Sequence, residues 1–138
     1  MAERQPKRRT IEELRRLVRS GRYAIKTHAV RHAIAEGFTE RDIIAAVMFG
    51  RTLAVYPLDE RMLILGYISL NRRIRIPLHV VLEYSETSFV DVVTAFIPAN
   101  PHHVVSRARL AVLLKQCRHE VKAEVVGPAR VLRTGTEG

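Results

Sequence analysis

A change of period at Gly50 constrains the fold more than any other feature of this chain. Before it, apolar residues recur at helical spacing inside capped segments; after it, they alternate. "TIEELRRLVRSG" opens on Thr10, has Glu13 three residues later and closes on Gly21. That is a capping box, in which the threonine oxygen accepts an orphan helical N–H and the glutamate reaches back to the cap. Ile11, Leu14 and Leu17 or Val18 supply the apolar stripe. "KTHAVRHAIAEG" reads as a second helix with Thr27 as cap and Gly37 as stop. "TERDIIAAVMFG" reads as a third, with Thr39, Asp42 and Gly50 in the corresponding places.

Beyond Gly50, "TLAVYP", "RMLILGYISL", "IRIPLHVVLEYS" and "SFVDVVTAFIP" are rich in strand formers. The separators "LDE", "NRR" and "SETS" are too short for crossover helices, so neighbouring strands should be antiparallel. In the third strand Ile74, Ile76, Leu78, Val80 and Leu82 share one face, and Arg75, Pro77, His79, Val81 and Glu83 the other. Pro98 and Pro101 end the sheet. "SRARLAVLLKQCRHEVKAEVV" then reads as a helix capped by Ser106, with Leu110, Leu113, Leu114, Cys117 and Val121 on one side. The expected class is α+β: N-terminal helices packed on a four-stranded antiparallel sheet, with an additional C-terminal helix. The expected divisions are a basic flexible arm (residues 1–9), an α+β domain (10–101), the C-terminal helix (102–126) and a flexible tail (127–138).

Composition narrows the function. The chain has 138 residues, room for one domain. Its single cysteine cannot form an internal disulfide or a thiolate metal cage, which fits a cytoplasmic protein. No secretory signal and no apolar run of roughly 20 residues is present, so no membrane partner is expected. Lys and Arg number 23 against 14 Asp and Glu, a net charge of +9 that points to nucleic acid. Four tyrosines, four phenylalanines and no tryptophan leave little for a base-stacking platform, so arginine–phosphate contacts should dominate.

His28 and His32 stand at i and i+4, close enough on a helix to face one point. A metal reading lacks further ligands, because Ala29 stands where the metalloprotease pattern needs Glu, so no metal or other cofactor is expected. A surface helix whose histidines meet carboxylates or solvent is the plain alternative. The third reading is acid–base chemistry on RNA. Histidine titrates near 6.5 and RNA carries its own nucleophile, the 2′-hydroxyl. Lys26, His28, Arg31 and His32 combine proton carriers and cations within a turn and a half. His79 interrupts an apolar run and reads alone as a core histidine with one satisfied bond. Thr94 reads alone as a good strand residue. Arg72, Arg73 and Arg75 cluster at a hairpin, either a solvated tip or a phosphate clamp.

"KTHAVRHAIAEGFTERDIIAAV", "VYPLDE", "LILGYI", "IPLHVV" and "VVTAFIP" together resemble a bacterial domain-of-unknown-function family grouped with the RelE-like toxins of the barnase–EndoU–colicin–RelE superfamily. The resemblance covers about residues 22–98. It implies helices packed on a four-stranded antiparallel sheet and a metal-independent ribonuclease cleft. The family's helix His falls at His28, its strand His at His79 and its last-strand Thr at Thr94. Its helix Arg falls at His32, with Arg31 adjacent, and its last-motif Tyr falls at Phe96. The expected function is thus a toxin-like, metal-independent endoribonuclease. His28 and His79 would share the acid and base roles, Arg31 and His32 would stabilise the phosphorane, and Thr94 would position a phosphate oxygen. Lys26, Arg72, Arg73 and Arg75 would hold RNA. The alternative is a non-catalytic RNA- or protein-binding module on the same fold. The partners implied are RNA, an antitoxin protein and a second copy of the chain joined through the C-terminal helix.

Overall fold

The computed structural model describes residues 9–112 and 114. Three helices form in the three segments, two of them behind the expected side-chain caps. Helix α1 spans Ile11–Arg19, with Thr10 and Glu13 forming the capping box, and buries Leu14 and Val18. Helix α2 spans Thr27–Glu36 and ends on Gly37 in the left-handed conformation, φ 84°. Helix α3 spans Glu40–Phe49 behind a second capping box, Thr39 with Asp42.

The sheet has five strands, not four. Strand β1 (Tyr23–Ile25) lies between α1 and α2, followed by β2 (Arg51–Tyr56), β3 (Arg61–Ser69), β4 (Arg75–Glu83) and β5 (Val90–Phe96). The order is β1-β5-β4-β3-β2. The four later strands are antiparallel neighbours, as their short connections require, but β1 pairs with β5 in parallel, Tyr23 opposite Val90 and Ile25 opposite Val92. Three residues between two helix caps are too few to display a period of two, so this strand leaves no mark in the sequence.

The two faces of the sheet are covered differently. Ile76, Leu78, Val80 and Leu82 of β4 join the helices in one core. On the far face Leu63, Val81 and Tyr56 pack with Val105, Leu110 and Leu114, brought there by the chain after Pro101. The Tyr56 hydroxyl donates to the Val105 carbonyl, and Arg107 pairs with Asp59 at 2.7 Å. Ser106 caps the helical backbone that begins at Arg107, its hydroxyl accepting the Arg109 N–H at 3.1 Å. Residues 1–8 of the expected arm, Leu113, residues 115–126 of the expected C-terminal helix (with Cys117 and Val121) and the expected 127–138 tail lie outside the described residues.

Helix α3 lies unusually close to β3. A Cβ built on Gly66 would sit 2.4 Å from the Ala46 Cβ, and one on Gly50 would sit 2.4 Å from the Ala46 carbonyl oxygen. Arg15 of α1 secures the end of α3 by donating to the carbonyls of Val47 (2.8 Å) and Gly50 (2.6 Å). That arginine belongs to the packing of α1 on α3.

Candidate active site

Strand β1 passes into α2 without a loop. The Lys26 N–H donates to the Val92 carbonyl at 2.9 Å, continuing the ladder, while its carbonyl accepts the Val30 N–H. Lys26, not Thr27, therefore occupies the cap position, and no side chain caps this helix. Because β1 stops after three residues, α2 runs beside the last part of β5, with Ala29, Val30 and Ala33 in the core. The far end of α2 is tied to the same strand: Glu36 Oε1 accepts the Ile97 N–H at 2.8 Å.

A break in the β4–β5 register between Val81 and Leu82 leaves Thr94 opposite Val81 and Phe96 opposite His79. Cross-strand partners share a face, so Thr94 and Phe96 stand on the far face of the sheet. There they meet the exposed side of α2. His28, His32, Glu36, Thr94 and Phe96 line a cleft of about 260 Å³, closed on another side by Leu110 and Leu114.

Within this cleft the imidazoles of His28 and His32 meet edge to face, centroids 4.7 Å apart. Burial, then the neighbouring His32 and Arg31, push the His28 pKa down to about 4, so its ring is neutral at pH 7. His32 Nδ1 lies 2.6 Å from Glu36 Oε2. A carboxylate only accepts, so Nδ1 carries the proton and Nε2 is the atom left for other partners. Thr94 is 3% exposed, and its hydroxyl has no hydrogen-bond partner among the described residues. The cleft thus joins an uncharged imidazole, a carboxylate-oriented imidazole and an unsatisfied hydroxyl.

His79 is one ring away. Its imidazole packs edge-on against Phe96 at 5.3 Å, and the His32 ring lies 6.2 Å from the same phenyl ring. It is 1% exposed, and its Nε2 lies 2.7 Å from the Pro101 carbonyl oxygen. The other predicted residues lie elsewhere. Lys26 pairs with Asp91 at 3.9 Å. Arg72 and Arg73 are exposed on the β3–β4 turn, where Asn71 Oδ1 accepts the N–H groups of Arg73 and Ile74. Arg75 stacks on Tyr67 at 4.3 Å and lines a separate cavity with Arg41, Asp42 and Phe49. Glu36 is the functional candidate missing from the sequence reading, although its spacing of four residues from His32 is the signal that could have found it.

Burial also holds the His79 pKa below its usual value, against the opposing pull of the Pro101 carbonyl. For both histidines the folded state refuses protons that the unfolded chain takes up below about 6.5. Stability is therefore complete above that pH and declines as pH falls from 6.5 towards 4. The urea midpoint at pH 5 should lie below that at pH 7, and the difference should shrink in a His28→Asn variant. Equal midpoints at the two pH values would contradict the burial assigned to these rings.

Among the described residues no group of three or more His, Cys, Asp or Glu could hold a metal ion, and no helix is long and apolar enough to cross a membrane. The model of a family described as "Domain of unknown function (DUF4258)" matches residues 25–97. The match runs from Ile25, the last residue of β1, to Ile97, and so includes His28, His32, Glu36, Thr94 and Phe96 but not Leu110 or Leu114. No curated protein and no solved structure matches the chain.

Proposed function

The chain belongs to the DUF4258 family, and we propose that it is a metal-independent endoribonuclease of the RelE-like toxin type. The observation that carries this reading is the contact of two imidazoles, one neutral and one oriented by Glu36, beside the unpartnered Thr94 hydroxyl. A net charge of +9 supports a polyanionic substrate.

The neutral His28 takes the proton of the RNA 2′-hydroxyl. The 2′-oxygen bonds to phosphorus and the bond from phosphorus to the 5′-oxygen breaks. His32, protonated at both nitrogens, keeps Nδ1–H on Glu36 and gives its Nε2 proton to the departing 5′-oxygen. The products are a 2′,3′-cyclic phosphate and a 5′-hydroxyl. Arg31 balances the charge of the phosphorane, and Thr94 donates to one of its oxygens. His79, its Nε2–H given to Pro101, acts as a positioning residue through Phe96. Lys26 and the hairpin arginines Arg72, Arg73 and Arg75 serve flanking phosphates.

The apolar walls formed by Phe96, Ile97, Leu110 and Leu114 favour a second reading, a non-catalytic module that binds RNA or a protein such as an antitoxin. Incubation of purified protein with total RNA in EDTA separates the two. Scission lost in His28→Ala is expected. Salt-dependent retention of intact RNA would overturn the enzymatic reading in favour of the second.

A further inference from the structure

We propose that the open end of β3 is a docking edge for an extended acidic segment of a partner protein, which adds as a further strand in the cavity between β3 and α3. On its inner side β3 is paired to its last residue, Ser69 opposite Arg75. On its outer side the pairing with β2 stops at Leu65, opposite Arg51. The Leu70 N–H donates to the Ile74 carbonyl, so even-numbered residues at this end direct their backbone groups at β4. Tyr67 and Ser69 direct theirs outward. Among the described residues no hydrogen bond reaches the outward N–H and C=O groups of these two residues. The outer edge of β2 is interrupted by the register shift between Thr52 and Ala54, a device that blunts edge strands. Tyr67 and Ser69 have no such protection.

The cavity measures about 320 Å³, with Tyr67, Ser69 and Arg75 on one side and Arg41, Ala45 and Phe49 of α3 on the other. A paired strand lies about 4.8 Å from its neighbour, so an added segment would occupy this space. Phe49 is 88% exposed, an apolar wall that the fold leaves uncovered. The charges name the occupant. Arg41 and Arg75 have no acidic partner among the described residues, and Arg75 lies instead over the Tyr67 ring. Asp42, the acidic residue at the cavity, is held by the helix cap, its Oδ2 accepting from the Thr39 N–H and hydroxyl. Arg72 and Arg73 are exposed on the adjoining turn. An acidic segment is favoured there, whereas a second copy of this chain would set one arginine group against another. A nucleic-acid strand would answer the arginines, but its phosphates only accept and would leave the outward carbonyls of Tyr67 and Ser69 unanswered. A peptide alternates N–H and C=O and meets both. The inference stands whether or not the histidine cleft cuts RNA.

The test uses the full chain, ¹⁵N-labelled at its amides, and hexapeptides with blocked ends. One alternates valine and glutamate, one has lysine for glutamate, and one repeats the first with N-methyl groups on its central pair of residues. The valine–glutamate peptide should shift the Tyr67 and Ser69 amides and slow their hydrogen exchange. The lysine peptide should leave both unchanged, and N-methylation should abolish the effect because it removes the donors that pair with the edge. Arg41→Gln, at an exposed position, should weaken the valine–glutamate peptide roughly fivefold. Silence of both amides towards that peptide would overturn the inference, as would equal binding of the lysine or N-methylated peptide. A thymidine oligonucleotide that moves the two amides where the peptide does not would assign the edge to nucleic acid and overturn it as well.

Discussion

Replacing Gly66 by alanine is expected to destabilise the protein by about 3 kcal/mol, at the upper end of what overpacking costs. The added methyl would lie 2.4 Å from the Ala46 Cβ and 2.5 Å from the Ala46 Cα. Neither atom belongs to a flexible side chain, so the relief must come from lifting α3 off β3. That helix buries Ile43, Ala46 and Val47 against the sheet, so lifting it opens the core. Ala46→Gly removes the obstructing Cβ but loosens the helix, at about 1 kcal/mol. The double variant should be more stable than the sum of the two single losses predicts but recover only part of the Gly66→Ala loss, because Ala46→Gly removes the Cβ at 2.4 Å and leaves the Cα at 2.5 Å. Urea midpoints of the four proteins measure this coupling. A Gly66→Ala protein within about 0.5 kcal/mol of the parent would show that α3 and β3 are not held at this distance.

The second large effect is expected from Glu36→Gln, and it falls on activity. Both oxygens of Glu36 are engaged, Oε1 by the Ile97 N–H and Oε2 by His32 Nδ1. Glutamine keeps an acceptor for Ile97 but presents NH₂ to His32. The imidazole must then turn a bare Nδ1 towards the amide, which holds the ring in its neutral Nε2–H form and denies it a carboxylate when it charges. RNA cleavage should fall by about 10²–10⁴-fold, the share ordinarily carried by a positioned acid or base, with little change in stability. Glu36→Ala should lose the same activity and also stability, by about 1–3 kcal/mol, because the Ile97 N–H is left without its partner. Full activity in Glu36→Gln would remove His32 from the proton path.

Much of this architecture is legible in the sequence because local rules and tertiary structure agree. The capping boxes at Thr10 and Thr39 form as written, and Gly37 takes the left-handed exit that its position after α2 suggests. The alternation in β4 sends Ile76, Leu78, Val80 and Leu82 into the helix-side core and Val81 to the other face, while Ile74, expected on the apolar face, is exposed just ahead of the strand. What escapes is whatever depends on distant pairing. β1 is a strand only because β5 supplies a partner nearly 70 residues later in the chain. The reason for Gly66 is Ala46, on a different element. The resemblance brings His28 and His79 into one account, but periodicity does not reveal that Phe96 stands between their clefts. That arrangement follows from a register break in one strand pair and from the early end of β1. Glu36 was visible at i+4 from His32, yet its meaning depends on the Ile97 N–H, which only the folded chain brings near.

The central claim is that the His28–His32 cleft moves protons during cleavage of RNA at its own 2′-hydroxyl. The most direct test is a DNA oligonucleotide carrying a single ribonucleotide, incubated in EDTA with the parent protein and with His28→Ala. The parent should cut only after the ribonucleotide and leave a 2′,3′-cyclic phosphate, and His28→Ala should be slower by at least about 100-fold. Cutting at deoxyribose positions, or an undiminished rate in His28→Ala, would contradict the claim.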